Sequence, residues 1–188
     1  MPRDDRKHWD SKYAAGNPNP TFDPDPLLVQ FSHLLNDRGW ALDLACGVAH
    51  NALFLARRGY DVVAVDTSLT ALRYARDAVH RAGLPVHLVA ADVDDFVLPA
   101  ATFAVVIVFR FLNRALVPHI KQSLAPGGLL IYQTFNTNHL RVAPQMRREY
   151  VLEPGELKRL LSGLETIATN DSDEISDTLT YWIGKAPR

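Results

Sequence analysis

The residues of this 188-residue chain best suited to chemistry fall on three short stretches. Residues 41–51 (ALDLACGVAHN) read as a strand, a turn of small residues and a helix start. Small side chains at Ala45, Gly47 and Ala49 let a ligand approach the backbone, and the free amides of a helix start favour negative charge. Nineteen residues beyond Gly47, Asp66 closes a β-branched run, DVVAVD. An acidic residue about 20 positions after such a turn suits hydrogen bonds from two ribose hydroxyls. Asp92 follows a third apolar run, VHLVAA, so carboxylates end consecutive strands on one rim. Either aspartate alone could simply cap the element after it. The three features in register point instead to a nucleoside-like ligand.

Cys46 lies inside the same turn, beside an apolar strand and with no partnered base in sequence. Packing is therefore its expected role, ahead of nucleophilic attack. As the one cysteine of the chain it excludes an internal disulfide framework and a cysteine zinc site. No metal is expected.

A sheet has to align these stretches, and the chain alternates as one requires. Strands are expected at 41–45, 61–66, 86–91, 103–109 and 129–135, with later ones near 164–169 and 179–185. Helices are expected over 26–37, over 51–58 (stopped by Gly59), from an N-cap at Ser68 to about Arg81, and over 115–124. The last has Pro118 in its first turn and ends at Pro126-Gly127-Gly128. A short helix opens at Glu153-Pro154-Gly155-Glu156 and runs through Leu161. The polar stretch 170–177 reads as a hairpin connection. Five strand–helix alternations predict a doubly wound, Rossmann-like α/β sheet with right-handed crossovers. Phe103–Phe109 (FAVVIVF) is apolar throughout, as a strand covered on both faces should be.

Residues 1–25 differ from residues 26–188, which form the expected single domain. Prolines at 18, 20, 24 and 26 forbid one continuous helix or a central strand across this arm. Trp9 and Tyr13 are four apart, on one face if helical, so the arm is expected to fold back over the body. Twenty Lys+Arg against 21 Asp+Glu give a net charge of −1, without the basic footprint of a duplex-binding protein. The charged N-terminus has no apolar signal core and no stretch could span a bilayer, so a cytoplasmic, membrane-free protein is expected.

The pattern D-L-A-C-G-x-x-x-N-A-L-F-L-A-R-R-G-Y-D-V-x-A-V-D resembles the class I S-adenosylmethionine-dependent methyltransferases, in particular the tellurite-resistance branch. The likeness continues through Leu124-Ala-Pro-Gly-Gly-Leu-Leu and Tyr150-Val-Leu-Glu-Pro-Gly-Glu-Leu. It implies a seven-stranded, mostly parallel sheet with an antiparallel last strand, and S-adenosylmethionine as cofactor. It places Asp43, Ala45 and Gly47 near the methionine part, Asp66 on the ribose, Asp92 and the Val93 amide on the adenine edge, and Thr67 and Ser68 beside the adenine. Trp9, Lys12 and Tyr13 match the branch's W-x-x-[KR]-Y arm, which closes over the site, and Tyr13 or Phe109 could face the cationic sulfur. The usual G-x-G-x-G appears here as Ala45-Cys-Gly47-Val-Ala49. An alanine forced to φ > 0 at position 49 costs ~1–2 kcal/mol. His50 also stands where the branch often has arginine.

The resemblance implies methyl transfer to a small-molecule acceptor by in-line displacement, through alignment and exclusion of water. Candidate acceptor-side residues are Arg110, Arg114 and His139, with Arg141, Arg147 and Arg148 near them. Arginine suits planar or oxyanionic groups, so an anionic acceptor is attractive, although salt bridges are the plain alternative. His139, beside Asn136 and Asn138, is the better-placed general base. His119 falls on an amphipathic helix and is expected to pack half-buried. The N/D-P-P-Y motif of amino-group nucleic-acid methyltransferases is missing, and nucleic acid is disfavoured. Two other readings stay open: a non-catalytic cofactor- or partner-binding relative, and a nicotinamide-dependent oxidoreductase. The latter would need G-x-G-x-x-G where the chain has A-C-G-V-A-H.

Overall fold

A computed structural model describes residues 3–16, 21–36, 38–93, 96–172 and 177–188. Prolines 18 and 20 of the arm and positions 173–176 of the 170–177 connection lie outside these residues. Seven strands follow the order β3-β2-β1-β4-β5-β7-β6, and the chain divides into two compact units, residues 1–97 and 98–188.

In the first unit β1 (Trp40–Leu44), β2 (Asp61–Asp66) and β3 (Val86–Ala90) pair in parallel. Their β-branched and leucine side chains are the reason: Leu42, Leu44, Val62, Ala64 and Val65 are all fully buried. Each branched aliphatic buried this way contributes ~1.5–3 kcal/mol. Between strands run α3 (His50–Ala56) and α4 (Leu69–Ala82). Ser68 caps α4 by accepting from the Ala71 amide, and Gly83 closes it at φ 61°. Ala71, Leu72, Ala75 and Ala78 recur at helical spacing and form its buried stripe.

The expected helix over 26–37 is broken. α2 covers Pro26–Gln30 and a 3-10 turn covers Ser32–Leu34. Phe31 leaves the helical region at φ −96°, ψ 15°, and the Asn36 side chain donates to the His33 carbonyl that another helical turn would have used. The arm does form a helix, α1 (Arg3–Ala15), which ends before the prolines.

In the second unit β4 (Phe103–Phe109) and β5 (Leu124–Phe135) are parallel, while β7 (Leu179–Lys185) runs antiparallel to both β5 and β6 (Glu165–Thr169). Four consecutive β4 residues, Val105–Val108, are essentially inaccessible, as a doubly covered strand requires. β6, at the end of the order, is short and largely exposed, with polar side chains that discourage further pairing.

Pro126-Gly127-Gly128 does not end a helix as expected. After a 3-10 turn at Arg114–Leu116, α5 (Val117–Ser123) has already stopped at Ser123, and the Pro-Gly-Gly lies inside β5. Leu124 pairs with Phe103, the register then slips, and Leu129 pairs with Val105. Gly127, at φ 72°, turns the chain through this irregularity, and its amide reaches the Pro187 carbonyl. No helix among the described residues is long and apolar enough to cross a membrane.

Arg114 fastens the second unit. Its guanidinium bonds both oxygens of Glu156, at the start of α6 (Glu156–Leu160), and the carbonyls of Glu149 and Val151. Burial raises the Glu156 carboxyl, but the bonds from Arg114, the Glu153 amide and the arginine charge outweigh it and hold the group below its ordinary value. Hydrogen bonds to charged groups contribute ~1.5–3 kcal/mol, discounted here because the Arg114 side chain is 37% exposed. Arg114→Met should lower the unfolding free energy by about 1–2 kcal/mol in urea titration. Arg114→Lys, which keeps the charge without the planar fork, should lose nearly as much. The Glu156 contribution is present above the ordinary carboxylate range and disappears as pH falls through the depressed value.

Candidate functional site

The turn after β1 coils because three alternate residues are left-handed: Ala45 at φ 58°, Gly47 at φ 55° and Ala49 at φ 61°. The Cys46 amide donates to the Val65 carbonyl and the Ala49 amide to the Cys46 carbonyl, which closes the coil against β2. A Cβ on Gly47 would run into the Tyr13 hydroxyl, so α1 covers the turn at its one remaining glycine. The expectation for position 49 holds, and position 45 carries the same strain.

Asp66 ties this coil to the end of β2. It is 7% exposed; Oδ2 accepts from the Gly47 amide at 2.7 Å and Oδ1 from the Ser68 amide at 2.8 Å. The capping role weighed as the plain reading is therefore real. It does not exhaust the group, because each carboxylate oxygen has a second lone pair. Burial pushes its carboxyl up, partly offset by the amides of Ser68, Gly47 and Thr67.

Asp43, on β1, is 2% exposed, and its Oδ2 has no hydrogen-bond partner. Burial, with the nearby charge of Asp66, lifts this carboxyl to about 7 against the Ala52 amide. Two buried acids behind an open-backbone turn suit a ligand with hydroxyl donors and a positive charge, so the residues present fit S-adenosylmethionine. Cys46 is buried, and burial followed by the charges of Asp43 and Asp66 pushes its thiol well up, as the packing role requires.

The arm is latched beside these groups. Asp10 accepts from the Ser68 hydroxyl at 2.7 Å and the Thr70 amide at 3.0 Å, adding a second cap to α4. Sequence reasoning missed Asp10; its adjacency to Trp9 in a helical arm was the available signal. Trp9 and Tyr13 lie on one face with ring centroids 6.3 Å apart, as their spacing predicts. Lys12 is exposed and places its ammonium 4.3 Å from the Trp9 ring centroid. Thr67 is half-buried. β3 ends at Ala90, short of the expected Ala91, so Asp92 lies in the following turn, half-buried, with Val93 buried beyond it.

In the second unit Phe109 is buried at the end of β4. Arg110 follows it, exposed and left-handed at φ 54°, with its amide on the Gln133 carbonyl. Such φ values in a non-glycine residue concentrate at ligand sites. The arginine cluster is largely neutralised: Arg114 pairs with Glu156, Arg148 with Glu153 and Arg147 with Glu149. His119 is exposed, contrary to the half-buried packing expected. His139 stacks on Phe135 with centroids 4.1 Å apart, and its Nδ1 is buried without a partner. Gln133, also missed, has a buried Oε1 without a partner. A polar residue near the carboxyl end of the apolar run LLIYQTF was its signal.

The comparisons agree with this geometry. A family model described as a methyltransferase domain matches residues 41–128. The chain is 27% identical over 176 residues to the 2-heptyl-1-hydroxyquinolin-4(1H)-one methyltransferase of Mycobacteroides abscessus, covering 89% of this chain and 74% of that one. A 97-residue stretch is 41% identical to Hemagglutinin 1 of Eikenella corrodens, covering 46% of this chain and 31% of that protein. Together with the sheet order, these matches make the chain similar to the class I S-adenosylmethionine-dependent methyltransferases.

Within that class the chain resembles the branch of TehB from Haemophilus influenzae, named a probable S-adenosyl-L-methionine-dependent methyltransferase. It is 29% identical over 144 residues, covering 70% of this chain and 48% of TehB. The TehB crystal structure superposes with a TM-score of 0.73 at 15% identity, over 96% of this chain and 66% of that one. The chain thus spans about a third of Hemagglutinin 1 and half of TehB.

The strained alanines and the buried acid each give a test. Relief of left-handed strain (~1–2 kcal/mol) exceeds the entropic cost of a glycine (~0.5–1 kcal/mol). Ala45, left-handed but only half-buried, gives up little packing as glycine, so Ala45→Gly should raise the unfolding free energy by about 0.5–1 kcal/mol; a lower value would show that the coil is not strained. Asp43 binds its proton more tightly in the folded state than in the unfolded chain, where it titrates near ~3.9. Its contribution is full at low pH and falls as pH rises towards about 7. Asp43→Asn should gain stability relative to the native chain between pH 4 and 8, and a pH-independent difference would contradict this assignment.

Proposed function

We propose that the protein catalyses methyl transfer from S-adenosylmethionine to a small-molecule acceptor. The observation that carries this reading is Asp66: a buried carboxylate at the end of β2, bonded to the amide of the open turn and retaining lone pairs for a ribose. In it, Asp66 accepts from the ribose hydroxyls, and Asp43 stands buried behind the turn. Gly47 admits the ligand to the backbone, and α1 closes over it through Tyr13 to exclude water. Asp92 and the Val93 amide take the adenine edge. When bound, S-adenosylmethionine supplies an electrophilic methyl group on a sulfonium. The protein's part is then alignment and desolvation rather than covalent catalysis.

Several observations bear on the acceptor. The net charge of −1 disfavours nucleic acid. The relative from Mycobacteroides abscessus is named for a hydroxylated heteroaromatic, which makes that class the first to assay. A silent binder is the second reading, favoured by the two alanines in place of glycines in the turn. Turnover against a panel of phenols, hydroxyquinolones, amines and carboxylates separates the two.

Two charge-assisted hydrogen bonds from the ribose at ~1.5–3 kcal/mol each make Asp66 the strongest single determinant of cofactor affinity. Calorimetry with S-adenosylhomocysteine should show at least tenfold weaker binding to Asp66→Ala, with circular dichroism confirming a folded chain. An unchanged Kd would take ribose recognition away from Asp66.

A further inference from the structure

Five side chains of the second unit share one face of the sheet around the carboxyl end of β5. Phe109 on β4, Gln133 on β5 and Tyr181 on β7 are register partners, which places their side chains together. Phe135, two residues after Gln133, points the same way. His139 stacks on Phe135. The carboxyl ends of parallel strands are where ligands bind in such sheets.

This face holds two buried polar atoms without partners. Gln133 is 8% exposed, yet its Oε1 accepts no hydrogen bond, and Nδ1 of His139 is in the same condition. A buried acceptor left unpaired costs ~1–3 kcal/mol, and such groups call for a ligand or other partner. The loop bearing His139 is well fixed. Asn136 is fully buried, donates to the Asp177 carbonyl and the Thr180 hydroxyl, and accepts from the Asn138 amide. The His139 amide in turn donates to the Asn136 carbonyl. The two acceptor atoms are thus held by the strand and a pinned turn, while Phe135 and His139 remain half-exposed and reachable.

We infer that Gln133 and His139 form the recognition pair for a hydroxyl group on an aromatic or heteroaromatic methyl acceptor, with the ring lying against Phe109 and Phe135. This rests on the methyltransferase reading above and names the acceptor class for it. Gln133 Oε1 accepts from the neutral hydroxyl as the ligand arrives and so selects a donor; once the proton has moved, the Nδ1–H of His139 donates to the anionic oxygen. Nδ1 of His139 receives the hydroxyl proton: the O–H bond breaks, its electron pair stays on the acceptor oxygen, and the proton is held on the imidazole. The oxygen is then anionic and nucleophilic, while the free ligand can arrive neutral. This removes the need for an arginine anion site, consistent with the pairing of Arg114, Arg147 and Arg148 to carboxylates.

The test compares 2-heptyl-1-hydroxyquinolin-4(1H)-one with the same molecule lacking the hydroxyl, each titrated into the full chain saturated with S-adenosylhomocysteine. Ultraviolet spectra report both binding and ionisation of the ligand, with no turnover required. In the native protein the hydroxyl should improve affinity at least tenfold, and the bound ligand should show the ionised spectrum. Gln133→Leu should abolish most of the affinity difference between the two ligands, and His139→Phe should leave the bound ligand un-ionised. Affinity for S-adenosylhomocysteine checks that each variant is folded; if one fails that check, Gln133→Met or His139→Gln is read the same way. Equal hydroxyl preference and ionisation in native and variant proteins would overturn the inference. So would turnover of amines or carboxylates with no binding of the hydroxyquinolone, an outcome that leaves methyl transfer standing. Absence of turnover on every acceptor, with no ligand bound, would defeat both readings.

Discussion

The hydrogen bond from the Gly47 amide to Asp66 Oδ2 is the contact on which the first unit's chemistry depends. It joins the turn after β1 to the end of β2, and it does so inside a buried setting where a bare carboxylate would be costly. The same carboxylate reaches the Ser68 amide with its other oxygen. Ser68 caps α4, and Asp10 of the arm bonds to the Ser68 hydroxyl. One side chain therefore sets the shape of the turn, the start of a helix and, one step removed, the seat of α1. A group with that many structural duties is held still before any ligand arrives.

The turn itself shows a conflict between local preference and tertiary demand. Ala45 and Ala49 adopt left-handed conformations that alanine disfavours, and the surrounding bonds from Cys46 to Val65 and from Ala49 to Cys46 hold them there. The Ala49 methyl also fills space that glycine would leave open, since that residue is completely buried. The chain accepts backbone strain at the point of ligand approach in return for packing behind it, a pattern common at functional sites.

Much of this was legible in the sequence. β2 and β4 fall on the residues their apolar patterns predict, because buried β-branched runs have few other uses. Asp66 ends β2 as its spacing predicts, whereas β3 stops two residues short of Asp92. What was not legible depends on partners distant in sequence. The early end of α5 and the Pro-Gly-Gly inside β5 follow from pairing with β4 and with the carboxyl-terminal residues, which no local window contains. For Arg114 the sequence leaves an anion site and a salt bridge both open, and Glu156, 42 positions away, decides for the salt bridge. Asp10 and Gln133 were passed over because each is chemically ordinary in its own segment, and only the fold supplies what they face.

Cys46 has a practical bearing on how the arm can be watched. It is the one thiol of the chain, it is 4% exposed, and its environment opposes formation of the reactive thiolate. The native protein is thus close to silent towards maleimides and other thiol reagents while folded. A cysteine introduced on the exposed side of α1 can carry a fluorophore or spin label at a single defined position, without first deleting a native residue from the coil that holds the site.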